Sequence, residues 1–516
     1  MSTSENLFEL IKSLTPPEKR YFKVFAQRYI KGTENNYVQL FNAISKQKIY
    51  DETKLLKKIK NDRFVRHFSS EKNYLYKLLL KALNAYQSEH NVKIQIRSQL
   101  DSINLLFDKR LIQQGFQQLK KTKKMALKYE AYLALFKILD LEINFAHQFP
   151  KEKTQEIRKR NFKEKKDLLQ LLRHSDEYRE IYFQIMGFSR KKMTIVQSTQ
   201  KTQLKQLLQS PILQKNLYPN SLTISHLYYS ILKIGNDLLG NKVEAYQNAQ
   251  ALLNSWEQHP QLQSENKPVY LITLQNHLVS CYLSQQWTAF KETIAKIRAI
   301  PTRSVNEAIS AFEITYNAES VYLSEQNDFE GIHELHQEVA IKLKEYRKHL
   351  KVNALQLWYF NFAQFDFFVR NQNKTALDHL QDYFSLVANA KKTGRLRLDI
   401  HRKAQVLELL VHLELNNSLY LTSLLRNTKR YFQMTFDSYP FEKRIFLLVK
   451  ELIDLPPQIP LYKTAILYKD CLLHLQKLKD EKEIKPFAYV LIWLESKVKG
   501  IPVQNILKHQ KQTCNS

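Results

Sequence analysis

His333-Glu334-Leu335-His336 is the stretch of this chain closest to metal-binding chemistry, and its spacing does not suit a metal. A zinc-protease helix presents its histidines at i and i+4 so that both rings reach one ion, whereas these two stand at i and i+3. His336 also falls on an apolar stripe, where a satisfied structural histidine is expected. Gly235 and Gly240 have the two-glycine spacing of a phosphate loop, but Asn241 stands where that loop needs lysine and no strand precedes it. Cys281, Cys471 and Cys514 are too far apart to form a metal pattern. The first two sit among apolar neighbours, as small core residues do, which implies a reducing compartment. No Ser, His and Asp set lies on adjacent elements. No catalytic, cofactor-binding or metal-ligating residue is assigned, and a non-enzymatic role is expected.

Two further clusters point to binding. The stretch Leu355 to Val369 is dense in aromatics, and helical spacing gathers Leu355, Trp358, Phe362, Phe365 and Val369 into one core stripe. Tyr359, Phe360, Phe367 and Phe368 then fall on other faces. Either the helix is packed on both sides, or Tyr359, Phe360 and Phe367 belong to an aromatic groove that anchors a partner. Nearer the start, helices over 36–47 and 51–61 flank a break at Lys48-Ile49-Tyr50, in the manner of a helix-turn-helix. The second bears Lys54, Lys57, Lys58 and Lys60, with Arg63 nearby, which would meet phosphates in a groove. The turn lacks the customary glycine and the face offers few base-reading side chains, so a solvated basic helix competes with that reading. The run Lys151 to Asp167 interleaves both signs, with Glu152, Glu156 and Arg160 at i+4 steps, as an exposed charge-laced helix does.

The elements that must hold these residues are helices. The 516 residues include only 8 glycines and 14 prolines, and period-two alternation bounded by turns is absent. The net charge of +29 is unevenly spread: +14 over residues 1–130, +7 over 131–206, +2 over 207–300, −4 over 301–390 and +10 over 391–516. Basic ends attract phosphate polymers or anionic surfaces. Yet 58 of the 79 cations are lysine, a mixture that suits a solvated surface as well as base reading. The first residues contain no signal-peptide core, and no run approaches the ~18 apolar residues of a membrane span. The terminal Cys514-Asn515-Ser516 is one residue short of a prenylation box. A cytoplasmic protein is expected.

One device recurs from about residue 243 to 434: an apolar helix, a short polar break, then an amphipathic helix with a stripe at i, i+3, i+7, i+10. The stripes begin at Val243, Trp287, Phe329, Leu377 and Leu421, spaced 44, 42, 48 and 44 residues apart. From Ile112 to Val243 is room for three such periods, blurred by Lys151–Lys166 and Ser198–Pro211. Stacked helical hairpins leave such a spacing because each buries its apolar face against the next. Thr15-Pro16-Pro17-Glu18 reads as a capping box opening a helix towards Lys31, and Pro456 to Pro460 interrupts helix. The expected order is a basic helical module over 1–90, repeats over 91–455 and a helical cap over 456–516, formed by helices at about 461–480 and 487–499.

Tyr270 to Pro301 resembles a tetratricopeptide-type helical pair. Leu274, Leu278 and Cys281 lie on its first helix, Trp287 follows the turn, Phe290, Ile294 and Ile297 lie on the second, and proline comes just beyond. The family places small residues where this chain has Leu278 and Phe290, and its repeat is shorter. The whole sequence is also similar to bacterial all-helical proteins, a likeness that supplies no function. The tetratricopeptide resemblance implies an all-α solenoid, a right-handed stack of antiparallel hairpins, with a protein or peptide segment bound along its first helices. The competing expectation is a nucleic-acid-associated regulator whose basic N-terminal module contacts phosphates.

Overall fold

The structure, a computed structural model, describes residues 3–28, 36–47, 50–56, 65–190, 198–302, 304–347, 349–392, 397–456, 461–478 and 487–514. Within them 25 α-helices and two 3-10 turns are bounded and no strand occurs, so the chain is all-α. None of the helices among the described residues is long and apolar enough to cross a membrane. The chain divides into two compact units, Met1–Gln285 and Gln286–Ser516. That cut falls inside the stretch expected to be one run of repeats.

The first unit opens with α1 (Thr3–Ser13), α2 (Pro16–Arg28), α3 (Asn36–Lys46), α4 (Glu52–Leu56) and α5 (Phe68–His90). These have a core of their own around Leu7, Ile11, Phe22, Leu40, Phe41, Ile44, Leu75 and Leu79. One arm of the expected capping box is formed: the Thr15 amide donates to the Glu18 carboxylate at 2.8 Å, while the Thr15 hydroxyl donates to that same carboxylate (2.8 Å) in place of accepting from the Glu18 amide.

There follow α6 (Val92–Asp108), α7 (Ile112–Lys128), α8 (Tyr132–Phe145), α9 (Lys151–Arg190), α10 (Ser198–Leu208), α11 (Leu222–Leu239), α12 (Lys242–Glu257), α13 (Pro260–Glu265) and α14 (Lys267–Leu283). The expectation of three 44-residue periods between Ile112 and Val243 is corrected here, because α9 alone takes 40 residues. Thr154, Asn161, Leu168 and Ser175 are buried at seven-residue steps, so one face stays turned inward and nothing breaks the helix. Two distant contacts close the unit. The Glu265 carboxylate accepts from the Val92 amide at the start of α6 (3.3 Å), and Gln261 donates to the Lys128 carbonyl at the end of α7 (3.3 Å). Glu130 makes a third: its carboxylate accepts from the Leu222 and Thr223 amides (2.6 and 2.8 Å) and the Ser221 hydroxyl (3.3 Å), an anion placed on the positive end of α11.

The second unit contains α15 (Trp287–Ala299), α16 (Val305–Gln326), α17 (Phe329–Tyr346), α18 (Val352–Phe368), α19 (Asn373–Lys392), α20 (Leu398–Glu414), α21 (Ser418–Thr435), α22 (Pro440–Ile453), α23 (Leu461–Gln476), α24 (Ala488–Lys499) and α25 (Val503–Cys514). From α18 to α25 each helix packs on its successor, and α18 also meets α20 and α20 meets α22. An ion pair bolts the last contact: Arg402 of α20 donates through Nε and Nη2 to both oxygens of Glu442 in α22, whose side chain is fully buried. The last segment runs back along the turns that end α16 and α18. Trp493 and Tyr489 of α24 face Phe367 and Phe368, Gln504 donates to the Val369 carbonyl (2.7 Å), and Asn327 donates to the Leu507 carbonyl (3.0 Å).

One turn recurs in both units. Arg110, Glu130, Gly240, Gln285, Asn327, Asn371 and Asn416 all have positive φ, and each is followed two residues later by the first residue of the next helix. After Arg110, Glu130, Gly240, Asn327 and Asn416 the next amide reaches back five positions to a carbonyl, as in Asn241 to Asn236 (2.9 Å), Asp328 to Leu323 (3.0 Å) and Asn417 to His412 (3.1 Å), whereas after Asn371 the Gln372 amide reaches back six, to Asp366 (2.8 Å). This satisfies carbonyls that the helix end leaves open. From Gly240 onward the left-handed residues lie 45, 42, 44 and 45 apart. The apolar stripes begin 3, 2, 2, 6 and 5 residues after them, so the 48-residue step in the sequence pattern is a slip of one helical turn at Leu377.

Candidate functional site

Phe360 and Phe367 are core residues, 5% and 3% exposed, which corrects their expected place in an aromatic groove. Phe367 is covered by Trp493, whose ring centroid lies 6.2 Å away, from a helix more than a hundred residues downstream. Tyr359 is part-buried, with its hydroxyl 3.5 Å from the Arg347 guanidinium. Lys54 lies in α4, 75% exposed, paired with the Asp51 carboxylate at 3.1 Å. Asp51 accepts from the Thr53 hydroxyl and the Lys54 amide, bonds that hold its carboxyl down at about 2. Lys57, Lys58, Lys60 and Arg63 lie outside the described residues.

The titratable groups inside the units serve packing. His336 is part-buried and sets its ring edge-on to Trp358, Phe362 and Phe365, with centroids 6.2, 4.8 and 5.0 Å away. Burial pushes its imidazole down to about 4. His333 turns to Gln337 instead (3.1 Å). Burial raises the Cys471 thiol to about 12, well away from a reactive thiolate, and Cys281 is buried with its sulfur 3.5 Å from His277 Nδ1. Gly235 is interior to α11, and Gly240 is its left-handed end, so their spacing is that of a helix terminus. Among the described residues no group of three His, Cys, Asp or Glu side chains is placed to hold a metal.

The surface that stands out is on α14. From Pro268 to Phe290 the sequence has no Asp, Glu, Lys or Arg. Its inner face, Tyr270, Leu271, Leu274, Leu278 and Cys281, is buried, and Tyr270 packs on Trp256 of α12 at 5.4 Å. This is the face the sequence pattern assigns to the core. The outer face is apolar as well: Val269, Ile272, Val279, Tyr282 and Leu283 are 41, 56, 47, 37 and 37% exposed, with only Gln275 and Asn276 between them. A helix with large apolar side chains on both faces and no charge is normally enclosed, and exposed apolar residues clustered in this way, here in two groups either side of Gln275 and Asn276, mark a contact surface. Sequence reasoning passed over these residues because it sought one stripe per helix. The absence of charge over the whole run was the signal.

Comparison with family models, with curated proteins and with solved structures gives no match. The class is therefore set by what the fold and this surface show, an all-α protein of neighbour-packed helices.

Proposed function

We propose that the protein is a non-enzymatic, cytoplasmic interaction scaffold, an α-solenoid of tetratricopeptide-like hairpins, that receives a partner segment along a first helix. The outer face of α14 carries this reading: it is uncharged, exposed and built on a helix whose other side is anchored in the core. The left-handed turn recurring every 42 to 45 residues supports the repeat part of it. Ile272 and Val279 are about half exposed, so enclosing each contributes about half of the ~1.5–3 kcal/mol of a full burial, and the apolar side chains of the incoming segment supply the remainder. A photo-crosslinking residue at Val279 is expected to trap one discrete protein in cells, and the same residue at Gln247 of α12 to trap none. Ile272→Asp with Val279→Asp should abolish the adduct while the circular dichroism is unchanged. Equal crosslinking from both positions would discard the reading.

A second reading rests on α7. Lys120, Lys121, Lys124 and Lys128 are all exposed on this helix, in a region of net charge +14 that also holds Lys54. Such a stripe suits the phosphates of a nucleic acid. Retention of the full chain on DNA or RNA at low salt, lost at physiological salt, would favour it, and no retention at low salt would remove it.

A further inference from the structure

Helix α9 carries large apolar side chains on both of its faces, where a surface helix needs them on one. The inner seam is buried. On the solvent side Phe162, Leu169 and Phe183 are 57, 52 and 67% exposed. They belong to a run of exposed positions, 162, 166, 169, 173, 176, 180, 183 and 187, separated by alternating steps of four and three. That spacing keeps the three apolar side chains on one face with Lys166, Arg173, Asp176 and Glu180 between them.

The charges on the seam are ordered. Lys166 and Arg173 occupy its first half, Asp176 and Glu180 its second. Such an order repels a parallel copy of itself and complements an antiparallel one. Within the chain Arg173 lies 3.0 Å from Glu177 and Asp176 3.0 Å from Arg179; if instead Arg173 of each copy meets the partner's Asp176, Lys166 stands opposite the partner's Phe183 and Leu169 opposite its Glu180, so that Lys166 meets Glu180 and Leu169 meets Phe183 diagonally, one turn along. Phe162 then lies over the partner's Gly187. That glycine has no reason within its own chain: a Cβ there would meet no atom within 4 Å, and glycine weakens a helix relative to alanine. Its missing side chain opens the seam onto a cleft of about 820 Å³, lined by Ile181, Gln184, Phe188 and Leu207, with room for a phenyl ring.

We propose that two copies of the chain associate through the outer faces of α9, antiparallel about a two-fold axis, with Phe162 of each entering the other's cleft at Gly187. The test is the mass of the full-length protein by light scattering and sedimentation equilibrium over a wide concentration range. A dimer is expected, and Phe162→Glu with Phe183→Glu should make it monomeric with unchanged helicity. Arg173→Glu or Asp176→Arg alone should weaken the dimer by about tenfold or more, and the two together should restore it, because each pair is remade with signs exchanged. Phe162→Cys with Gly187→Cys should crosslink two chains on oxidation, and neither change alone should do so. A protein monomeric at all concentrations, a dimer indifferent to the phenylalanine changes, or a charge swap that rescues nothing would each overturn the proposal.

Discussion

At the scale of single residues, Arg402 and Glu442 are the pair whose loss should be felt most. Glu442 is fully buried and both its oxygens are taken by one guanidinium. Glu442→Gln removes the carboxylate that Nε and Nη2 of Arg402 both donate to and should cost about 3 kcal/mol in urea unfolding, while Arg402→Met with Glu442→Leu should cost much less. Two other groups oppose each other with pH. Burial holds His336 down at about 4 and pushes the Glu408 carboxyl up to about 7. Neutral His336 stabilises the fold above its unfolded value near 6.5, and that contribution is lost as pH falls towards 4. Protonated Glu408 stabilises below its unfolded value near 4.5, and its contribution is lost as pH rises to 7. Between pH 7 and 4.5 the two slopes have opposite sign. Relative to the parent, His336→Gln should therefore gain stability on acidification through that window, and Glu408→Gln should lose it, each by about 2 kcal/mol when urea midpoints are compared.

At the scale of elements, the shared turn makes a prediction with the reverse sign. Arg110 is an exposed, β-carbon-bearing residue held at φ 60°, where glycine is unstrained. Arg110→Gly should raise the stability of the first unit by about 1 kcal/mol in thermal or urea unfolding. Much at this scale was legible in the sequence. Helices α2, α3, α15, α17 and α18 begin or end close to where caps and apolar periods place them, because those signals act within a few residues. The stripe through Leu355, Trp358, Phe362 and Phe365 was legible for the same reason. What failed depends on distance along the chain. The cover over Phe360 and Phe367 comes partly from α24, and no local pattern at residue 367 can announce Trp493. The run Lys151 to Asp167 was legible as helix from its charges, but its unbroken continuation to Arg190 shows only when the seven-residue spacing of Thr154, Asn161, Leu168 and Ser175 is followed through it. The outer face of α14 was legible only as a missing charge.

At the scale of the whole molecule, composition alone dictated an all-helical chain, since so little glycine and proline leaves few turns to build from. The division at residue 285 was not legible, because what closes the first unit is Glu265 reaching Val92 and Gln261 reaching Lys128. The uneven charge belongs to this scale too. If α7 lies on nucleic acid phosphates, the affinity should fall with salt on a logarithmic slope near 0.9 per contact, and replacing Lys121, Lys124 and Lys128 by Gln should lower that slope by about 3. A slope unchanged by those substitutions would move any such contact elsewhere. The recurring left-handed turn has an architectural consequence. Because the joints at Asn327, Asn371 and Asn416 each set a left-handed residue two positions before the next helix, excising residues 328–371 would join Asn327 to Gln372 with the helix start still two residues away. Interchangeable connectors of this kind let a chain gain or shed a whole helical pair in a single genetic step, without evolving a new bend.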